Sequence, residues 1–193
     1  MARREDLGTT SYLVLGLAAW RGPMTVYQMK RIVEGSIGNF WSFPHTSLYS
    51  ETTRLVEAGL LSEEREGGGR RRRLFSITPA GREALLDWLK DPAAPAPELR
   101  YPALLKLFFG GLAPTEATVD LAGEQVEAHA ARVRQLEEIE EEVFDRQDLA
   151  HQLETLRLGI AMERAALEFW RSVAVEPPVS AAQLEEGAPS AGT

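Results

Sequence analysis

Residues 45–78 read HTSLYSETTRLVEAGLLSEEREGGGRRRRLFSIT, and this stretch decides the fold. Over about 45–58, Leu48, Thr52 and Leu55 share one side with Val56 beside them, while Ser47, Ser50, Glu51 and Arg54 point elsewhere. That spacing predicts a helix with one face on a core and another left polar. Gly59 supplies its stop. Residues 60–65 and 70–77 then read as two strands joined through Gly67, Gly68 and Gly69, which permit the positive φ values a hairpin tip needs. Thr78 before Pro79 marks the next helix start, cap and then first turn, and that helix runs to about Lys90.

Upstream, a helix over about 10–20 is apolar almost all round (Leu13, Val14, Leu15, Leu17, Ala18), which predicts burial. Arg21, Gly22 and Pro23 stop it. A second helix opens at Thr25, with Gln28 at the spacing of a capping box, and ends near Gly35. A loop with Phe40, Trp41, Phe43 and Pro44 leads into the helix over 45–58. Helix, helix-turn-helix and a hairpin with a basic tip is the winged-helix order. A helix about 10–12 Å across fits the major groove of DNA, where base edges carry a distinct donor and acceptor pattern. A wing reaches neighbouring phosphates or a minor groove.

The side chains expected toward DNA are His45, Thr46, Ser47, Ser50 and Arg54, with Arg54 suited to either guanine or phosphate. Tyr49 has two open readings: the DNA-facing surface, or core beside Val56. Arg70, Arg71, Arg72 and Arg73 flank the glycine tip. Strand alternation aims them to opposite sides, so two or three are expected to meet DNA. The competing reading is a solvated charge run in a loop, which the flanking strands and the helix-turn-helix argue against. Glu63, Glu64 and Glu66 on the other arm offset part of that charge and can pair with the arginines.

The chain has 193 residues, 44% hydrophobic and 26% charged, which fits an ordinary globular protein. No stretch approaches the roughly 20 apolar residues of a membrane span, and the opening MARREDLGTT does not read as a secretory signal. Absence of cysteine excludes disulfides, thiolate chemistry and cysteine-type zinc sites. A cytoplasmic protein is expected. The net charge of −8 looks wrong for a nucleic-acid binder until it is divided. Residues 1–91 hold 13 Lys and Arg against 11 Asp and Glu; residues 92–193 hold 8 against 18. The first half suits DNA and the second does not.

Three prolines within 91–97 cannot continue a helix. The expected organisation is therefore a winged helix-turn-helix domain over 1–91, a proline-rich linker over 92–102, a helical domain over 103–174 and a disordered tail over 175–193. The fold class is mainly α with a small β-hairpin wing. In the second half, Pro114 starts a long helix whose Val119, Ala122, Val126, His129, Val133 and Leu136 form a stripe, extended by Ile139 and Val143. Leu153, Leu156, Ile160, Glu163, Leu167, Trp170 and Ala174 form another. Such stripes make helix–helix seams. One helical hairpin offers too little partner surface within a chain, which predicts a homodimer through the C-terminal helices. His129 and Glu163 occupy seam positions, either as a paired polar contact or as ligand-binding groups. The run Glu137, Glu138, Glu140, Glu141 and Glu142 reads as a solvated face, and no metal or cofactor is expected.

Five segments carry a family resemblance. TSYLVLGLAAWRGPMTVYQMKRIVEG resembles the opening two helices of the PadR family, and FWSFPHTSLYSETTRLVEAGLL its recognition segment. GRRRRLFSITPAGREAL resembles its wing and following helix, and ALLKLFFGGL with TLRLGIAMERAALEFWRSV its helical C-terminal domain. The likeness spans roughly residues 10–174. Within the recognition segment, Tyr49, Leu55, Gly59 and Leu60 keep the family's pattern; Thr52 stands where leucine is customary, and Glu51 adds an acid. The resemblance implies a dimeric transcriptional regulator on a double-stranded operator, usually a repressor. It also implies release by small aromatic or phenolic effectors bound between the two domains or at the dimer interface. Candidate lining is Trp20, Trp88, Phe108, Phe109 and Trp170, each of which also reads as ordinary aromatic core.

No enzyme pattern competes. The three histidines, His45, His129 and His151, lie far apart, and neither a phosphate loop nor a Gly-x-Ser-x-Gly elbow occurs. The rival reading is a winged-helix interaction module or adaptor without specific DNA binding, for which the arginine wing has no use.

Overall fold

A computed structural model of the chain describes residues 7–37, 46–65 and 72–179. The expected helix-turn-helix forms from α1 (Thr9–Arg21), α2 (Val26–Glu34) and α3 (Thr46–Glu57). Val14, Leu15, Leu17 and Ala18 of α1 are all buried, as the near-continuous apolar run requires. The capping box of α2 is complete: Gln28 N–H donates to Thr25 Oγ1 at 3.2 Å, and Thr25 N–H to Gln28 Oε1 at 2.8 Å. Such caps contribute about 1 kcal/mol. On α3, Leu48, Thr52 and Leu55 face inward together. Burial of Thr52 is satisfied locally, its hydroxyl 2.9 Å from the Leu48 carbonyl and 3.0 Å from that of Tyr49.

Gly59 leaves α3 with φ +75, a left-handed turn that favours glycine. The chain then enters β1 (Leu61–Arg65), which pairs antiparallel with β2 (Arg73–Ile77). A two-stranded hairpin is marginal alone. This one is held at its root: Phe75, fully buried, also exchanges backbone hydrogen bonds with Met24 at 2.9 and 3.1 Å. The turn between α1 and α2 thus supplies a one-residue third strand. Thr78 caps α4 (Pro79–Lys90), accepting from Gly81 N–H at 3.1 Å. At Gly81 a Cβ would lie 2.1 Å from the Leu60 carbonyl oxygen, so only glycine lets α4 sit this close to the hairpin.

The chain divides into two compact units between Ala96 and Pro97. In the second, α5 (Pro102–Phe108) precedes two long helices, α6 (Thr115–Val143) and α7 (Ala150–Val175). These run antiparallel, since Arg157 pairs with Glu140, Arg164 with Glu137 and Glu163 with His129. Ala122, Val133 and Leu136 of α6 face Leu153, Ile160, Leu167 and Trp170 of α7 as buried residues. The α6 stripe differs at its start: Thr118 is buried and Val119 exposed, a shift of one residue where the helix begins. Of the tail expected to be disordered over 175–193, Val175 still belongs to α7, and the residues beyond 179 lie outside the described residues.

Candidate nucleic-acid interface

Burying Leu48, Thr52 and Leu55 turns the opposite side of α3 outward. Tyr49 is 57% exposed, which resolves its two readings in favour of the surface. Ser50 is exposed beside it, and Ser47 is half-buried. Thr53, one turn beyond Tyr49, shares this side and was not singled out from the sequence; its hydroxyl donates to the Tyr49 carbonyl at 3.1 Å. The spacing of Tyr49 and Thr53 already put them on one face. Such neutral donors and acceptors are among the groups able to hydrogen bond base edges. His45 lies outside the described residues, as does the side chain of Thr46.

Arg54 occupies a different setting. Its Nε and Nη2 donate to the two carboxylate oxygens of Glu51 at 3.0 and 2.7 Å, and Nη2 also reaches Ser11 Oγ at 2.8 Å. Ser11 belongs to α1 and is 1% exposed. Burial pushes the Glu51 carboxyl up, but hydrogen bonds from Arg54 and Ser11 outweigh it and leave it below its ordinary value.

In the wing, Arg70 and Arg71 lie outside the described residues, while Arg72 is exposed. Arg73 is exposed too, but its fork closes on Glu63 at 2.8 and 2.6 Å, and Arg65 adds a third contact at 3.1 Å. These hydrogen bonds, from Arg73 first and then Arg65, hold the Glu63 carboxyl at about 2. The pairing foreseen between the acidic arm and the arginines therefore exists at Glu63.

The five aromatics suggested for an effector fall into separate settings. In the first unit, Trp88 stacks on Tyr12, ring centroids 4.7 Å apart and planes 7° from parallel, and Trp20 carries the Arg21 guanidinium 3.9 Å from its ring centre. In the second, Phe108 is 80% exposed and meets Phe109 edge-on. Phe109 lines a groove of about 800 Å³ with Leu105, Lys106, Leu121 and Gln125. Trp170 is fully buried, and its Nε1–H donates to Tyr101 Oη at 2.7 Å. Tyr101 Oη lies 3.1 Å from Gln125 Oε1 and also bonds His129 Nε2; His129 Nδ1 is 2.5 Å from Glu163. The seam positions His129 and Glu163 are thus paired, and Tyr101 and Gln125, which the sequence did not mark, complete their network.

A buried α1, a helix-turn-helix with an outward α3 and a rooted hairpin carrying arginines define a winged helix-turn-helix protein. Residues 14–87 match the transcriptional regulator PadR-like family, and residues 99–176 match the virulence activator alpha C-terminal family. Residues 14–87 thus form a PadR-like domain of the transcriptional-regulator family. The negative transcriptional regulator PadR of Bacillus subtilis (strain 168) is 26% identical over 129 residues, covering 65% of this chain and 70% of that protein. The crystal structure of Bacillus subtilis PadR with operator DNA superposes with a TM-score of 0.78 at 22% identity, over 87% of this chain and 98% of that one. PadR with p-coumaric acid gives 0.72 at 22% identity, over 86% and 96%. The Vibrio cholerae virulence activator AphA gives 0.67 at 26% identity, over 93% and 100%. Among the described residues, no helix is long and apolar enough to cross a membrane.

Proposed function

We propose that this regulator is a cytoplasmic homodimeric repressor that binds a two-fold operator and acts by binding rather than catalysis. The observation that carries the reading is the outward side of α3, where Tyr49 and Ser50 stand exposed and Thr53 half-buried while Leu48, Thr52 and Leu55 fasten the helix to the core. Ser47, Tyr49 and Ser50 face base edges, with Thr46 and His45 at the entry to the helix. Arg70, Arg71 and Arg72 contact phosphate from the wing, where each neutralised phosphate steepens the dependence on salt. Arg73, already engaged by Glu63, contributes less. Exposed Leu158, Met162 and Phe169 along α7 supply an apolar stripe for a second copy. A two-fold assembly places two reading helices on two half-sites about one helical turn apart.

Repression follows the negative regulator PadR, and release by a small aromatic acid follows the PadR structure with p-coumaric acid. Trp20, Trp88, Phe108, Phe109 and Trp170 remain the candidate lining. Of these, Phe109 is on a groove whose charged lining is Lys106 with Asp120 and Glu124.

The deciding experiment is fluorescence anisotropy with the duplex upstream of the chain's own coding region, against a scrambled duplex, with and without p-coumarate. Preference for the first duplex, weakened by p-coumarate, supports the whole reading. Preference that p-coumarate leaves unchanged removes that effector. Equal affinity for both duplexes removes this operator.

A further inference from the structure

An acid on a helix that faces phosphates needs a reason, and the geometry around Glu51 gives one. Glu51 and Arg54 are three residues apart on α3 and meet through two parallel hydrogen bonds. An exposed pair of this kind contributes little. This pair is different because it closes on a third group in another helix: Ser11 of α1, 43 residues away, buried to 1% and accepting from Arg54 Nη2 at 2.8 Å. Glu51 is itself mostly covered, its side chain 15% exposed. The two parallel bonds close a ring of guanidinium and carboxylate, and Arg54 Nη2 ties that ring to the Ser11 hydroxyl. Ser11 lies on the stretch of α1 that carries Val14 and Leu15 into the core, which makes it a fixed point for α3.

We propose that Glu51 is a positioning residue for the DNA-reading helix, clamping α3 to α1 through Arg54 and Ser11 and committing the Arg54 guanidinium to the protein rather than to DNA. The inference rests on the assignment of α3 as the reading helix. Its consequence for recognition is direct. Base contacts depend on where Tyr49 and Ser50 stand, and these flank Glu51 on the helix that the ring fixes. Sequence discrimination then depends on a carboxylate that touches no base, and the acid imposes little repulsion on phosphate because its charge is matched within the ring.

The test begins without DNA, on the full chain. Glu51→Gln and Arg54→Met are expected to lower Tm by about 2–4 °C each. The double variant is expected to lose little more than either alone, since both remove one ring. Strictly additive losses, or none, overturn the clamp.

The second step uses a duplex that the wild-type protein enriches from a random-sequence pool, with a scrambled duplex beside it. Glu51→Gln and Arg54→Lys are expected to lose about tenfold on the enriched duplex, the order of one misplaced base contact. Affinity for the scrambled duplex and the slope of log affinity against log salt should stay at wild-type values. Lysine keeps the charge but not the fork, so it separates clamping from phosphate attraction. Tighter binding of both duplexes by Glu51→Gln would overturn the proposal, because the carboxylate would then be acting as simple repulsion. So would full affinity in Arg54→Lys with a slope flattened by about one in Arg54→Met, the mark of a phosphate contact. A pool that yields no preferred duplex defeats the operator reading instead, and the melting cycle still decides the clamp.

Discussion

Across the wing, the Glu63 carboxylate accepts Nε–H and Nη2–H of Arg73 at 2.8 and 2.6 Å, binding the two strands of the hairpin through their side chains as well as their backbones. The contact holds the Glu63 carboxyl at about 2, below its ordinary 4.5. A folded-state value below the unfolded one stabilises the fold above pH 4.5, and that contribution is lost as pH falls toward 2. In a carboxyl NMR titration, Glu63 should have its midpoint near 2, and Arg73→Ala should move it most of the way back to 4.5. A midpoint near 4.5 in the wild-type protein would show that the pair does not persist in solution.

Gly81 is expected to resist even the smallest side chain. Its Cβ would meet the backbone oxygen of Leu60 at 2.1 Å, and a carbonyl cannot rotate aside as a side chain can. Gly81→Ala should cost about 1–3 kcal/mol in urea unfolding. An unchanged midpoint would mean that α4 can withdraw from the hairpin at no cost. Gly123 has nothing within 4 Å of the same position, so Gly123→Ala is the matched control and should not destabilise.

Tyr101 should matter to the second unit through its oxygen. Trp170 is fully buried and its indole N–H donates to the Tyr101 hydroxyl. Tyr101→Phe leaves that donor unpaired, a loss of about 1–3 kcal/mol. In Trp170→Phe the donor is already gone, so adding Tyr101→Phe should cost less than it does in the wild-type background. A double-mutant cycle by chemical denaturation reads the difference. Equal costs in both backgrounds would show that the hydrogen bond contributes nothing.

Leu158 and Met162 stand four residues apart on the outer side of α7, both more than half exposed. Leu158→Asp with Met162→Asp should convert a dimer into a monomer of 21.3 kDa by light scattering, with circular dichroism unchanged. Retention of the dimeric mass would place the interface elsewhere on the second unit.

Elements whose determinants are local were legible in the sequence. Thr25 with Gln28, Thr78 with Pro79, and the pattern Leu48, Thr52, Leu55 each lie within one or two helical turns, and each forms as read. Contacts that depend on distant partners were not. The contact of Arg54 with Ser11 left no mark in the sequence, because Ser11 is 43 residues away on another helix. Tyr101 gave no periodic signal, since its partners Gln125, His129 and Trp170 lie 24, 28 and 69 residues along the chain. Met24 gave no strand signal, because a single strand-like residue has no alternation to display. Burial of Thr118 in place of Val119 shows a similar limit: a heptad stripe sets the average face of α6, while contacts at its first turn decide which residue there is covered.

The Met24–Phe75 bridge gives the wing a second attachment besides its own strand pairing. Through it, the hairpin is joined to the turn between the two helices that precede α3. The root of the hairpin and the turn ahead of α2 are thereby tied by two backbone hydrogen bonds, so a shift of one strains the other.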